Sequence, residues 1–295
     1  MDGEYSTQGD ILAMQPTALD ATGNEVPCQR WNDGRSRLLY SGDSGVFDRR
    51  RYSVDVIDEA TARDFVTRMH YSRSYPAAVF RVGLFGPGGL LEGVAVFSVP
   101  MNQRVVPAYT GLQPFQGVEL GRFVLVDRAP RNSESHFLGQ SFKLLRRERP
   151  QVKAVLSYSD PVPRRRADGQ LVMPGHVGII YQAHNGRYLG RGSARALHLC
   201  PDGRTISPRT LSKIRLGESG GEAAQKMLLS LGAPARKFGE DGATWVERVL
   251  KSGLFRAIKH AGNHCYAWSL GTVKERHLLD LAFRPALPYP KTIEN

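Results

Sequence analysis

The chain has 295 residues, 41% of them hydrophobic, so it can bury a large core, and one main domain with appendages is expected rather than two equal domains. No apolar run approaches about eighteen residues, and the first residues are acidic rather than basic, so we expect neither a membrane span nor a secretory signal. The three cysteines, Cys28, Cys200 and Cys265, have no paired spacing, which favours a reducing compartment and argues against a disulfide framework or a cysteine zinc site.

Charge is distributed unevenly along the chain. The net charge is +12, yet residues 1–52 carry 6 basic and 8 acidic side chains, whereas residues 143–215 carry 15 Lys and Arg against 4 Asp and Glu. A basic excess of this size suits a polyanionic partner, and the plain alternative is a soluble basic surface.

The first predicted elements follow a segment without regular apolar repeats. Residues 1–47 are rich in Gly, Ser, Thr, Asp and Asn, which predicts a disordered N-terminal tail. A strand is expected at 52–57, and then a helix capped by Asp58, with apolar residues at helical spacing: Ala62, Phe65, Val66 and Met69. His70 and Tyr71 come at the end of this helix, where a histidine can simply cap carbonyl groups and a tyrosine can simply pack.

Three further strands are expected before residue 127. Two apolar runs, 78–85 and 90–98, flank a Gly-Pro-Gly-Gly turn and predict a hairpin. Residues 118–126 then alternate as a strand does, which places Arg122 in an apolar row and Glu119 on the opposite face. An unpaired charge in such a row costs about several kcal/mol, so a carboxylate or an anionic substrate group is expected to meet Arg122.

The carboxylate preferred for that role is Asp160. A helix is predicted to start with Asn132 as its N-cap and to stop at Pro150, and residues 152–158 follow as a strand. Asp160 lies just past the carboxyl end of this strand, where open α/β sheets place their chemistry. A pair of Arg122 and Asp160 would hold a site rigid and keep the carboxylate ionised as a base or a ligand.

The order of these elements, strand, helix, three strands, helix, strand, resembles that of GNAT-type acyltransferases. The resemblance implies an α/β fold in which helices flank a GNAT-like mixed central sheet. We expect a catalytic domain at 48–216 and a helical C-terminal extension at 217–295 that packs on it. Beyond residue 177 the patterns predict a short helix at 178–183, a hairpin of 195–199 with 205–206, helices at 222–231 and 245–260, and a strand at 265–270.

Several short strings resemble the Mom family of phage DNA-modification proteins more closely. In order, these are HYS at 70–72, PM at 100–101, EL.R at 119–122, PRNSES at 130–135, FKLLR at 142–146, S.SD ending at Asp160, and IYQA at 180–183. The resemblance runs from about Val54 to Ile214, and PRNSES is its most specific part. It implies an enzyme of the host bacterial cytoplasm that converts adenine in double-stranded phage DNA to N6-carbamoylmethyladenine and so protects the DNA from host restriction. The resemblance implies that His70, Tyr71 and Tyr181 lie in the site, and together with Arg122 and Asp160 they are the expected catalytic residues.

The helix start at residues 131–136 departs from the GNAT pattern. A GNAT protein holds the pyrophosphate of coenzyme A there, through free amides and the helix dipole. Here the glycine-bearing signature is replaced, and Glu134 places a carboxylate where a phosphate would sit, so ordinary coenzyme A binding is not expected. Arg131, Ser133 and Ser135 could instead hold a nucleic-acid phosphate or another donor; alternatively, the two serines only cap the helix.

Double-stranded DNA is the expected partner, with Arg146, Arg147 and the triplet Arg164, Arg165 and Arg166 as candidate phosphate contacts. The triplet is expected in a loop after Asp160. The sequence leaves the cofactor open among acetyl-CoA, a glycine-derived donor, and iron bound by His70 and Asp160, and it leaves the oligomeric state open. Two other functions remain: a conventional acetyl-CoA-dependent N-acyltransferase acting on a protein or small-molecule amine, and a non-catalytic DNA-binding protein.

Overall fold

The computed structural model describes residues 47–127, 129–173 and 175–291. The predicted N-terminal tail, apart from residue 47, and Cys28 lie outside the described residues. The strands are β1 (Ser53–Val56), β2 (Ala78–Phe85), β3 (Leu91–Ser98), β4 (Gly117–Leu125), β5 (Ala154–Ser159), β6 (Arg164–Arg165), β7 (Leu171–Met173), β8 (Arg187–Arg191), β9 (Arg195–Leu199), β10 (Thr205–Ile206), β11 (Arg256–His260) and β12 (His264–Ser269). The helices are α1 (Glu59–Met69), α2 (Val105–Thr110), α3 (Ser133–Glu148), α4 (Ile179–Ala183), α5 (Pro208–Arg215), α6 (Gly221–Ser230), α7 (Gly242–Lys251) and α8 (Val273–Ala282).

These elements form two compact units. Among the described residues, the first unit contains those from 47 to 160, His176–Gly190 and those from 264 to 291; the second contains Pro161–Gly175, without residue 174, and Arg191–Asn263. The chain therefore leaves the first unit twice and returns to it twice. The division at residue 217 stays a prediction. None of the helices in the described ranges is long and apolar enough to cross a membrane.

The first unit is built on a seven-stranded mixed sheet with the order β1-β2-β3-β4-β5-β12-β8. Strands β1 to β4 pair antiparallel, whereas β4 and β5 pair in parallel, with α3 connecting them. The α/β class, the mixed sheet and the GNAT-like order of elements are thus confirmed. Helix α1 begins as expected, because the Asp58 side chain accepts a hydrogen bond from the Thr61 amide and the four predicted apolar residues are buried.

The late strand predicted at 265–270 is confirmed as β12, but it lies inside the sheet rather than in an extension packed on it. It pairs antiparallel with β5 and also neighbours β8. Its residues Cys265, Tyr266 and Ala267 are all fully buried, so both faces of the strand are covered, as an interior position requires.

The second unit has its own core. A three-stranded sheet, β10-β9-β11, packs with α5, α6 and α7 around buried Trp245, Leu228 and Phe255. The hairpin of β9 and β10 is confirmed at its predicted residues. The helix predicted at 245–260 is wrong beyond Lys251: Gly253 takes the left-handed conformation (φ 81°), and the following residues form β11, which pairs with β9.

Candidate active site

In the first unit β4 and β5 stop pairing before either strand ends, and we call the space between their carboxyl ends the β4–β5 cleft. Their parallel register joins Gly117 to Ala154 and Glu119 to Leu156, and in the described chain it goes no further, although both strands continue beyond it. The carboxyl ends of β4 and β5 are therefore free to present side chains to a common space, which is where open α/β sheets bind ligands.

A β-bulge at Gly121 decides which side chains of β4 face this cleft. Phe97 of β3 pairs with Leu120 and Val96 pairs with Arg122, so Gly121 is an extra residue without a partner in the register. The bulge shifts the alternation by one residue and turns Arg122 to the face of Glu119. The prediction that these two lie on opposite faces is wrong, because a two-residue period does not hold across a bulge. A Cβ at Gly121 would lie 2.6 Å from Ser98 Oγ, which explains the glycine.

The guanidinium of Arg122 is bound by a loop far away in the sequence. Its Nε donates to the Ser74 carbonyl (2.8 Å), its Nη2 donates to Ser74 Oγ (2.6 Å), and its Nη1 donates to the carbonyl of Gly121. Burial lowers the pKa of Arg122, and Tyr71, Glu119 and Tyr181 oppose this shift. The predicted ion pair of Arg122 with Asp160 is not formed. In the described chain the guanidinium donates its hydrogen bonds to Ser74 and Gly121 instead.

Two polar groups face Arg122 from either side of the cleft. Burial raises the pKa of Glu119, and the nearby Arg122 charge opposes the shift. Burial also raises the pKa of Tyr181 to about 12, despite a hydrogen bond with Ser157 that lowers it. The Tyr181 hydroxyl is therefore protonated at neutral pH and can donate a hydrogen bond.

Tyr181 owes its position to the glycine that precedes α4. Gly178, the N-cap, has φ 77°, a left-handed conformation that favours glycine. A Cβ at Gly178 would lie 2.8 Å from a ring carbon of Tyr266 and 2.9 Å from one of Tyr181. The Tyr181 ring lies against Tyr266 and Trp268, with centroid distances of 5.5 and 5.6 Å, so packing holds it at the cleft.

The HYS string forms the turn that leaves α1. His70 Nδ1 lies 2.8 Å from Ser72 Oγ and accepts a hydrogen bond from the Ser72 amide at 3.2 Å. The rings of His70 and Tyr71 are 4.3 Å apart. Because Tyr71 interacts electrostatically with both Arg122 and Tyr181, the structure brings three of the predicted catalytic residues into one cluster.

Asp160 lies where the sequence placed it, directly after β5. It is only 4% exposed, and its backbone carbonyl accepts a hydrogen bond from the His176 amide (2.7 Å). The residues that sequence reasoning did not assign to the cluster are Ser74 and Ser157, together with Glu119, which was set aside. A glycine inside a strand pattern indicates a bulge, so Gly121 was the available signal for Glu119; Ser74 has no comparable signal.

The start of α3 does not fit a pyrophosphate. Asn132 occupies the N-cap, as predicted, but in the left-handed conformation (φ 73°) and without a side-chain capping bond. Ser133 is buried, and its Oγ donates to the Pro130 carbonyl (2.6 Å), so this hydroxyl serves the turn. Glu134 lies in the first turn, where its carboxylate would repel a phosphate. Coenzyme A is therefore not supported by these residues, and phosphate contacts of Arg131 and Ser135 stay predictions.

The predicted DNA-binding arginines occupy two different places. Arg146 and Arg147 lie in the last turn of α3, about 20 Å from its start, where Arg146 is 3.7 Å from Glu275 and Arg147 is 2.8 Å from Glu148. The arginine triplet belongs to the second unit. The expected loop is wrong there, because Arg164 and Arg165 form β6, which pairs with β7, and the Arg166 amide donates to the Gln170 carbonyl.

The described ranges contain no group of three or more His, Cys, Asp or Glu side chains that could hold a metal ion. His70 Nδ1 is already an acceptor for the Ser72 amide, which leaves only its Nε2 for a ligand. An iron site at His70 and Asp160 stays a prediction.

Replacing Glu119 by glutamine is expected to change how stability depends on pH. Because burial raises the pKa of Glu119, the folded protein keeps a proton that the unfolded chain has already released, and stability falls as pH rises through that interval. The glutamine variant lacks this loss of stability, so its Tm relative to the parent should increase as pH rises above the ordinary pKa of a glutamate. Melting curves at several pH values measure the difference, with exposed Glu222→Gln as the control; an unchanged difference would contradict the burial effect.

A mixed sheet whose two parallel strands separate beside a bulge, with the connecting helix starting at the same end, is the GNAT-like α/β fold that the order of elements predicts. The chain belongs to the Mom protein family, whose model matches residues 51–238. It is 28% identical over 194 residues to the methylcarbamoylase Mom of Escherichia phage Mu, covering 62% of this chain and 74% of that protein.

Solved structures with partial likeness include acetyltransferases and a malonyl-CoA decarboxylase. The ribosomal-protein-S5-alanine acetyltransferase from Vibrio fischeri is 10% identical to this chain, with a TM-score of 0.33. The match covers 50% of this chain and 85% of the acetyltransferase. A tandem GNAT protein from the clavulanic acid biosynthesis pathway is 8% identical to this chain, with a TM-score of 0.39. The match covers 75% of this chain and 99% of the tandem protein. Scores this low carry no argument, and the fold type follows from the sheet itself.

Proposed function

We propose that this protein is a DNA-modifying transferase that converts adenine in double-stranded phage DNA to N6-carbamoylmethyladenine, in the host bacterial cytoplasm, and thereby protects the DNA from restriction. The observation that carries the proposal is the 28% identity to a methylcarbamoylase over 74% of its length. The electrostatic interactions among Tyr71, Arg122 and Tyr181, which come from three of the shared strings, support the proposal.

The chemistry of the target explains why such a cluster is useful. The exocyclic nitrogen of adenine is a poor nucleophile, because its lone pair is delocalised into the ring, so a positioned proton acceptor is required. Asp160, buried at the end of β5, is proposed as that acceptor. Arg122 is proposed to stabilise developing negative charge, and the protonated Tyr181 hydroxyl to donate a hydrogen bond in the same cleft.

An adenine inside a duplex cannot reach such a cleft unless its nucleotide is flipped out. Aromatic surfaces and phosphate contacts favour flipping, and Tyr71 and Tyr181 are proposed to receive the base. Positive charge is available in the second unit: residues 161–175 and 191–263 carry 16 Lys and Arg against 7 Asp and Glu, a net charge of +9. This excess suits contact with DNA phosphates.

The donor of the transferred group is not an ordinary acetyl donor in this proposal. Acetyl transfer would give an acetylated amine, whereas carbamoylmethylation joins the adenine nitrogen to a methylene carbon. The Ser133 hydroxyl, which donates to the Pro130 carbonyl, and the negative charge of Glu134 also disfavour coenzyme A binding at the start of α3. A glycine-derived donor is the candidate that remains compatible with the product.

Mass spectrometry of nucleosides from plasmid DNA tests the proposal. After expression of the protein, we expect a deoxyadenosine species heavier by one carbamoylmethyl group, absent from the same plasmid expressed with Arg122→Ala. No modified nucleoside together with tight acetyl-CoA binding would favour a conventional N-acyltransferase. Salt-sensitive DNA binding without any product would favour a non-catalytic DNA-binding protein.

A further inference from the structure

The Arg122 guanidinium is oriented by one residue outside its own strand. In the described structure two of its three hydrogen bonds end on Ser74, one on the carbonyl and one on the hydroxyl, and the third returns to β4 at Gly121. Ser74 is 48 residues away in the sequence. Two donors of the planar guanidinium, Nε and Nη2, are both bonded to Ser74, so the whole group cannot rotate freely. A single hydrogen bond would still allow that rotation.

The same serine connects Arg122 to the HYS turn. Ser74 Oγ donates to Ser72 Oγ at 3.2 Å, and Ser72 Oγ lies 2.8 Å from His70 Nδ1. Because the Ser72 amide, which can only donate, is bonded to the same Nδ1, this nitrogen is an acceptor and the proton of the neutral ring is on Nε2. A continuous hydrogen-bonded path therefore runs from Arg122 through Ser74 and Ser72 to His70.

The backbone of the turn brings both serine hydroxyls into this path. Arg73, between the two serines, has φ 45°, an uncommon conformation for a residue other than glycine, and its amide donates to the His70 carbonyl at 2.8 Å. The backbone thus reverses direction between His70 and Ser74, which lets Ser74 reach Arg122 while Ser72 stays on His70.

We propose that Ser74 is a positioning residue for the modification reaction: it orients Arg122 at the mouth of the β4–β5 cleft and couples that orientation to His70. The proposal rests on the proposed function, since it assigns Ser74 a role through the proposed role of Arg122. Ser74 lies in none of the strings that suggested the site, and it contributes through geometry rather than through contact with the reacting atoms.

Kinetics of Ser74→Ala and Ser74→Thr on duplex DNA test the proposal. Loss of the hydroxyl should lower kcat roughly 10- to 100-fold, as expected for one hydrogen bond to a charged group, while KM for DNA stays within about twofold, because Ser74 does not bind the duplex. Threonine keeps the hydroxyl and should restore kcat to within about threefold of the parent. Ser53→Ala, an exposed serine on β1 of the same unit, is the matched control and should leave kcat unchanged.

A spectroscopic measurement separates this proposal from the proposed function. With arginine labelled in its side chain, the parent should give distinct NMR signals for the two Nη groups of Arg122, because rotation of the guanidinium is restricted, and Ser74→Ala should merge them. If the parent carries no modification activity, the proposed function fails, and this comparison still decides whether Ser74 orients the Arg122 guanidinium. Distinct Nη signals retained in Ser74→Ala, or a threonine variant as impaired as alanine, would overturn the proposal.

Discussion

Arg122→Ala is expected to lower the modification rate by about 10²- to 10³-fold, the loss typical of removing one preorganised charge-stabilising group. The guanidinium lies at the bulge of β4, where burial, Ser74 and Glu119 hold it in place. Modified nucleosides measured by mass spectrometry give the rate, and duplex binding measured separately should change little, because Arg122 faces the cleft and not an open basic surface.

Two further variants make this result specific. Arg122→Lys keeps the charge but lacks the planar fork that reaches both Ser74 atoms, so it should remain impaired at least about tenfold. Arg104→Ala removes an exposed arginine before α2 and should behave like the parent. If Arg122→Ala modified DNA at the parent's rate, the proposed role of the guanidinium in the reaction would be wrong.

Asp160→Asn is expected to cost about 10²- to 10⁴-fold in rate, the range found when a positioned acid–base group is lost. Asparagine has the same shape but cannot accept the proton that adenine must release. The carboxylate is 4% exposed at the end of β5, so the substitution should leave the surface that binds DNA unchanged. The comparison is the modification rate against duplex affinity, with exposed Asp55→Asn on β1 as the control.

The outcome also decides between two carboxylates. If Asp160→Asn keeps its activity, Glu119 becomes the remaining carboxylate beside Arg122 and Tyr181, and Glu119→Gln should then lose modification. As a general base it would act in its deprotonated form, so its raised pKa would move the ascending, low-pH limb of the pH–rate profile above the ordinary range of a glutamate. Loss in Asp160→Asn together with activity in Glu119→Gln supports the assignment proposed above.

Local sequence patterns were sufficient for much of the first unit. The Asp58 cap and the helical spacing of the apolar residues after it predict α1, because capping and amphipathic periodicity act within a few residues. The hairpin of β2 and β3, the two parallel strands and α3 are predicted in the same way. Asp160 at the end of β5 and Tyr181 on a short helix also follow from local order along the chain.

The site itself depended on interactions that no local pattern contains. The bulge at Gly121, which turns Arg122 to the face of Glu119, is a property of the register between β3 and β4. The hydrogen bonds between Ser74 and Arg122 join residues 48 positions apart, and β12 pairs with β5 although most of the second unit lies between them in the sequence. The amino-acid sequence by itself determined β1 to β5 with α1 and α3, the excess of positive charge and the family. Only the tertiary structure decided which polar side chains meet, because strand register and loop contacts are set by packing between segments distant in the chain.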